Sequence, residues 1–151
     1  MQLAILFSGQ GAQKEGMGKE IYENSGIGAE IIDRSGENVK RLLLDAPQEE
    51  LNRTQNTQVA IYTLSVAKYE DFIRNDERDV DAVAGFSLGE YSALYAAGVF
   101  GFEEGLELVK KRADLMQKVA DATPQGMVAI LGSDLATVVE LVQNNQQGNV
   151  L

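Results

Sequence analysis

The chain opens on Leu3-Ala-Ile-Leu-Phe7, an unbroken apolar run that stops at Ser8-Gly9-Gln10-Gly11. That is the pattern of a buried strand entering a glycine-bearing loop. From Met17 to Leu44 the apolar positions take helical spacing, interrupted at Ser25-Gly26, Gly28 and Ser35-Gly36. Glycine costs about 1 kcal/mol inside a helix, so several short helices are expected rather than one. Pro47 followed by Gln-Glu-Glu suits a helix start, with acids near the positive end of the helix dipole. Between Thr57 and Ile73 apolar residues (Val59, Ile61, Tyr62, Leu64, Val66, Tyr69, Phe72, Ile73) fall on nearly every face, which places that helix inside the domain.

A second apolar run, Val80 to Phe86, meets Ser87 and passes into Leu88 to Ala97, closed by Gly98. This reads as strand, sharp turn and helix, with glycine at the helix end. Phe102 to Ala122 forms a long amphipathic helix. Met127 to Leu131 is expected as a strand, Asp134 to Asn144 as a helix, and Asn149 to Leu151 as the start of a further strand. Strands alternating with helices define an α/β fold: a largely parallel sheet with flanking helices.

The helix from Phe102 to Asp121 carries one anomaly. At about 100° per residue, Leu115, Leu108, Val119, Met116, Val109, Phe102, Ala120, Ala113 and Leu106 cover one arc of about 180°, and charged or amide residues fill the other. Arg112 falls inside the apolar arc, flanked by Leu108, Leu115 and Met116. A guanidinium does not shed its proton at ordinary pH, so burial there calls for an anion or several acceptors. An internal carboxylate or a snorkelling stem would satisfy it; so would the carboxylate of a substrate.

Composition narrows the chemistry. The 151 residues include no cysteine, histidine or tryptophan, and 13 basic against 23 acidic residues give a net charge of −10. A disulfide framework, a thiolate nucleophile and a cysteine-based metal site are excluded, and the commonest general base is missing. No metal site is expected. The negative charge argues against nucleic acid as a partner. The opening run has no positive flank and is far shorter than the roughly 20 apolar residues of a membrane span. No membrane partner is expected, and a cytoplasmic location is.

Gly85-Phe86-Ser87-Leu88-Gly89 is G-x-S-x-G between an expected strand and an expected helix. In that context the pattern is a nucleophile elbow: a tight bend pushes the serine hydroxyl out at the carboxyl end of the sheet, beside the free N–H groups of a helix N-terminus. A capping serine between two packing glycines gives the same pattern without catalysis. Gly9-Gln-Gly-Ala-Gln13 follows the first strand, but Lys14 stands where a dinucleotide loop needs its third glycine, and no Gly-Lys-Ser/Thr follows. Neither dinucleotide nor P-loop phosphate binding is indicated. The loop lies at the same sheet edge as Ser87 and can offer backbone N–H groups to a substrate; it also reads as an ordinary strand-to-helix turn.

Taken together, Gly9-Gln-Gly-Ala-Gln13, Thr57-Gln-Val-Ala60, Gly85-Phe-Ser-Leu-Gly-Glu-Tyr-Ser-Ala93 and Arg112-Ala-Asp-Leu-Met-Gln117 resemble the malonyl-CoA:acyl carrier protein transacylase family, in order and spacing, from end to end of the chain. The resemblance implies an acyltransferase or α/β-hydrolase-like core and an S-malonyltransferase activity in fatty-acid or polyketide synthesis. Ser87 would carry the acyl group as an ester, the N–H groups of Leu88 and Gln10 would form the oxyanion hole, and Arg112 would hold the malonyl carboxylate. Gln58 would lie near the pocket, and Phe86 on its wall. Malonyl-CoA and acyl carrier protein would be the partners, with coenzyme A a substrate and no resident cofactor.

Three departures stand out. Phe86 replaces the family's usual histidine, Ser8 and Val59 replace frequent prolines, and family members are about twice this long. Residues 1–125 would be the first part of the core and 126–151 the start of a small ferredoxin-like subdomain. The family's base histidine would lie beyond Leu151, leaving this chain inactive by itself. An incomplete sheet would favour self-association, strand exchange or binding of a separate C-terminal half. Two other functions fit parts of the pattern: a non-catalytic module that binds acyl-CoA or carrier protein, and an α/β-hydrolase esterase. The esterase has no use for Arg112 or the Gly9–Gln13 loop.

Overall fold

A computed structural model describes residues 3–122 and 130–144. Strand β1 (Ala4–Phe7) is followed by α1 (Lys19–Asn24), α2 (Gly26–Arg34), α3 (Glu37–Leu44), the single turn α4 (Gln48–Leu51) and α5 (Thr54–Asn75). Then come β2 (Ala82–Gly85), α6 (Gly89–Ala96), α7 (Phe102–Ala122) and α8 (Leu135–Asn144). The two strands pair in parallel, Ala4 opposite Ala82 through Phe7 opposite Gly85, with α1 to α5 as the crossover. This is the expected α/β arrangement in a small, helix-rich form.

The helix breaks follow local chemistry. Ser25 ends α1 and caps α2, its hydroxyl accepting the Gly28 N–H at 3.0 Å. Gly36, at φ 92°, separates α2 from α3. Gly28 does not break the helix, contrary to expectation: it lies buried within α2, where a Cβ would come 2.6 Å from Ile21 Cγ1. Its small size lets α1 and α2 cross closely, and that contact outweighs its low helix propensity.

Helix α5 is the centre of the molecule, starting at Thr54 rather than Thr57. Its N-terminal half is buried among α2, α3, α6 and α7, while its C-terminal turns reach solvent, with Ile73 exposed. Tyr62, fully buried, stacks on Phe102 of α7 at 5.8 Å and donates its hydroxyl to the Phe102 carbonyl. Burial pushes the Tyr62 phenol well above its ordinary value, so it stays a neutral donor. On one side of the sheet Phe7 is buried edge-on against Tyr69 of α5. On the other, Ala4, Leu6, Ala82 and Ala84 face solvent, Leu6 at 79% exposure.

The apolar arc of α7 is covered along half its length. Phe102, Leu106, Val109 and Ala113 are buried, whereas Leu108, Leu115, Met116 and Val119 are exposed. The strand expected over Met127–Leu131 lies outside the described residues except for Ile130 and Leu131, which carry no strand. The one expected over Asn149–Leu151 lies outside them altogether, so the 126–151 subdomain is represented by α8 alone.

Candidate active site

Ser87 sits at the carboxyl end of β2, at the point where the chain reverses into α6, and it is solvent-exposed. Its φ of 52° is the one positive value of a non-glycine among the described residues, a conformation that costs of the order of 1–3 kcal/mol and persists where its surroundings impose it. The two flanking glycines show what imposes it. A Cβ at Gly85 would lie 2.1 Å from the Gly89 carbonyl, and one at Gly89 would lie 2.3 Å from the Phe7 carbonyl oxygen. The bend is therefore folded so tightly that strand and helix backbones touch, and β1 abuts the first turn of α6. The Phe86 N–H donates to the Phe7 carbonyl at 3.0 Å, and the Gly89 N–H closes back onto the Phe86 carbonyl at 2.9 Å.

The Gly9–Gln13 loop is held from two sides. The Gln13 side chain accepts the Gly11 N–H at 2.8 Å and donates to Asn52 at 2.9 Å, while the Gln10 amide reaches Thr54 Oγ1 at 3.5 Å. Gly9 rests on the Phe86 backbone, where a Cβ would meet the Phe86 carbonyl oxygen at 2.5 Å. This brings the Gln10 segment beside the serine bend. The N–H groups of Leu88 and Gln10 donate to no protein acceptor among the described residues. The Phe86 side chain projects into solvent at 75% exposure.

Arg112 arrives from α7. Its Nη1 donates to Gln58 Oε1 at 2.6 Å and its Nη2 to Ser87 Oγ at 3.0 Å, and its Cζ lies 6.0 Å from the centre of the Tyr91 ring. No carboxylate pairs with it among the described residues. The internal acid considered from the sequence is absent there, and the guanidinium is half-buried rather than enclosed. Gln58 is fully buried, and its Nε2 donates to Met116 Sδ at 3.2 Å. Tyr91, Leu108, Lys111, Arg112, Leu115 and Met116 line a cavity of about 480 Å³ that is open to solvent. Of the residues singled out in the sequence, Ser87, Arg112 and Gln58 are joined by hydrogen bonds, and Leu88, Gln10 and Phe86 flank them.

Tyr91 and Met116 were not singled out as site residues. Their signal was present: Met116 is one turn beyond Arg112, and Tyr91 one turn beyond Ser87. Among the described residues no grouping of histidine, cysteine, aspartate or glutamate could hold a metal ion, and no helix is long and apolar enough to cross a membrane.

The site thus holds a serine on a strained strand-to-helix bend, two backbone N–H groups with no protein acceptor among the described residues, and a guanidinium whose partners there are the neutral Gln58 and Ser87. Comparison with known proteins places the chain in a family. Residues 5–150 match the acyl transferase domain family, and the chain belongs to it. It is 41% identical over 144 residues to the polyketide biosynthesis malonyl CoA-acyl carrier protein transacylase BaeC of Bacillus velezensis, covering 95% of this chain and 49% of that protein. It is 37% identical over 155 residues to the malonyl CoA-acyl carrier protein transacylase of Bacillus subtilis, covering 99% and 49%. Among solved structures, the malonyl CoA-acyl carrier protein transacylase of Coxiella burnetii superposes with a TM-score of 0.86 at 34% identity, covering 99% of this chain and 49% of that one. A malonyl-transacylase in complex with its type II PKS acyl-carrier protein gives 0.86 at 32% identity, covering 99% and 50%. The chain spans about half the length of these relatives.

Proposed function

We propose that these residues form the serine-bearing half of an acyltransferase that moves a malonyl group from coenzyme A to acyl carrier protein, in fatty-acid or polyketide synthesis. The observation that carries this reading is Arg112, whose guanidinium bridges Gln58 and the Ser87 hydroxyl and pairs with no acid among the described residues. Ser87 Oγ attacks the thioester carbonyl carbon as its proton passes to a base; the C–S bond then breaks and coenzyme A departs as its thiol. The carrier protein's thiol attacks the resulting ester in the second half-reaction, and Ser87 regains its proton. The Leu88 and Gln10 N–H groups face the oxyanion formed in each step. A malonyl carboxylate takes the Nη2 donor that the Ser87 hydroxyl now occupies, and Gln58 keeps the guanidinium aimed. Phe86 stands at the mouth, where an acyl group enters. Coenzyme A is a substrate in this scheme, no resident cofactor or metal takes part, and the reaction belongs to the cytoplasm.

The scheme needs a base from outside these residues. The Ser87 hydroxyl is bonded to a guanidinium, which accepts no proton, and the sequence holds no histidine. Absence of a base costs about 10²–10⁴ in rate. The uncovered Ala4, Leu6, Ala82 and Ala84 face supports association with a separately supplied second half, or with another copy of this chain.

Intact-mass analysis after incubation with malonyl-CoA tests the proposal, with the second half of the Bacillus subtilis relative supplied as a separate polypeptide. One malonyl adduct is expected with both parts present, and none with Ser87→Ala. Arg112→Ala should cut the preference for malonyl-CoA over acetyl-CoA by roughly 10- to 100-fold, the worth of a charge-assisted hydrogen bond. An adduct that survives Ser87→Ala, or an unchanged preference in Arg112→Ala, would overturn it.

A further inference from the structure

The Ser87, Arg112 and Gln58 chain of hydrogen bonds continues one member further, to the apolar side chain of Met116. Gln58 is fully buried on α5, and both ends of its amide face α7. Arg112 presents donors alone, so the amide oxygen must face it. That forces the amide nitrogen the other way, into a region where a buried donor needs an acceptor. The acceptor there is Met116 Sδ, at 3.2 Å. Met116 follows Arg112 by four residues on α7, so sulfur and guanidinium share one helix face and meet the two ends of the same amide.

We infer that Met116 is a positioning residue: its thioether decides which way the Gln58 amide points, and through Gln58 it holds the Arg112 guanidinium over Ser87. Packing does not call for methionine at this place. Met116 is 41% exposed on the wall of an open cavity, and its apolar neighbours Leu108, Leu115 and Val119 are exposed as well. Leucine would fill the same volume; among apolar side chains the thioether alone also accepts a hydrogen bond. Without the sulfur, the Gln58 nitrogen is a buried donor with no partner. The amide then gains by turning toward solvent or another oxygen, and Arg112 loses the acceptor that fixes its Nη1.

This inference rests on the hydrogen-bond chain and is independent of the acyl-transfer reading, so its test uses the 151-residue chain without substrate. Side-chain NMR reads two quantities: proton exchange of the Gln58 carboxamide and rotation of the Arg112 guanidinium about Nε–Cζ. Each is referred to the exchange of the buried Val66 amide, so that a change in global stability cancels. Met116→Leu keeps the volume and removes the acceptor. It should accelerate Gln58 carboxamide exchange tenfold or more relative to Val66 and speed the Arg112 rotation. Met116→Gln restores an acceptor without sulfur and should return both towards the parent values. Parent-like exchange and rotation in Met116→Leu would overturn the inference, and so would a Met116→Gln variant as loose as Met116→Leu.

Discussion

Adding one methyl group at either of two glycines should give opposite results, because tertiary contacts rather than helix propensity decide the outcome. Gly89 opens α6, and a Cβ there would lie 2.3 Å from the Phe7 carbonyl oxygen, 2.8 Å from the Phe7 carbonyl carbon and 2.9 Å from the Ser8 carbonyl oxygen. All three are backbone atoms, so no side chain can swing aside, and β1 and α6 must separate by about 1 Å to restore ordinary contact. Overpacking of this kind costs about 1–3 kcal/mol. Three rigid backbone contacts put Gly89 in the upper part of that range, about 2–3 kcal/mol, and replacing glycine in a helix returns at most about 1 kcal/mol, so Gly89→Ala should be less stable by about 1–2 kcal/mol. For a chain of this size that corresponds to a fall in Tm of roughly 2–8 °C. Gly26, the first residue of α2, has nothing within 4 Å of its ideal Cβ and no positive φ. Gly26→Ala should gain about 0.4–1 kcal/mol by restricting the unfolded chain. Urea unfolding followed by far-ultraviolet circular dichroism measures both, with the midpoint moving down for one variant and up for the other at constant slope. A Gly89→Ala midpoint at or above the parent's would refute the claim that backbone contact with β1 sets the bend.

A second pair of variants tests the half-covered face of α7. Leu106 is buried and Leu108, two residues on, is 41% exposed, so Leu106→Ala should cost about 2–5 kcal/mol and Leu108→Ala within about 0.5 kcal/mol in the same urea assay. Equal losses would mean that the arc is covered throughout. Acid should destabilise the fold as well. Hydrogen bonds from Lys40, Arg41, Arg78 and Arg34 hold the carboxyls of Asp33, Glu50, Asp76 and Glu103 below their ordinary values of 3.8 or 4.5, Asp76 down to about 2. A depressed carboxyl stabilises the folded state above its unfolded value, and that stability is lost as the pH falls through the folded one. The urea midpoint should therefore decline from pH 5 to pH 2.5, and a flat profile would exclude these pairs as contributors.

Some of the site was legible because it depends on neighbours in sequence. The spacing of Gly85, Ser87 and Gly89 between an apolar run and a helical one signals a bend, and both glycines prove to be places where backbones touch. Arg112 could be picked out on its helix because a charge inside an apolar arc conflicts with the period of 3.6 residues. What satisfies it could not be. Its partners are two neutral groups, Gln58 and Ser87, which lie 54 and 25 residues earlier in the chain and carry no charge pattern that would match them to it.

The amino-acid order by itself determined β1, β2 and helices α5 to α7, the serine bend and the identity of the misplaced guanidinium, since the hydrophobic pattern that marks each is local. Which apolar residues of α7 are covered, and which glycine stays helical, was decided by tertiary structure. Gly28 stays helical because Ile21 of the preceding helix presses on it, and the apolar residues of α7 divide between Val109, fully buried, and Val119, 59% exposed. An apolar side chain leaves water when another element covers it, and which element does so depends on how helices distant in sequence cross.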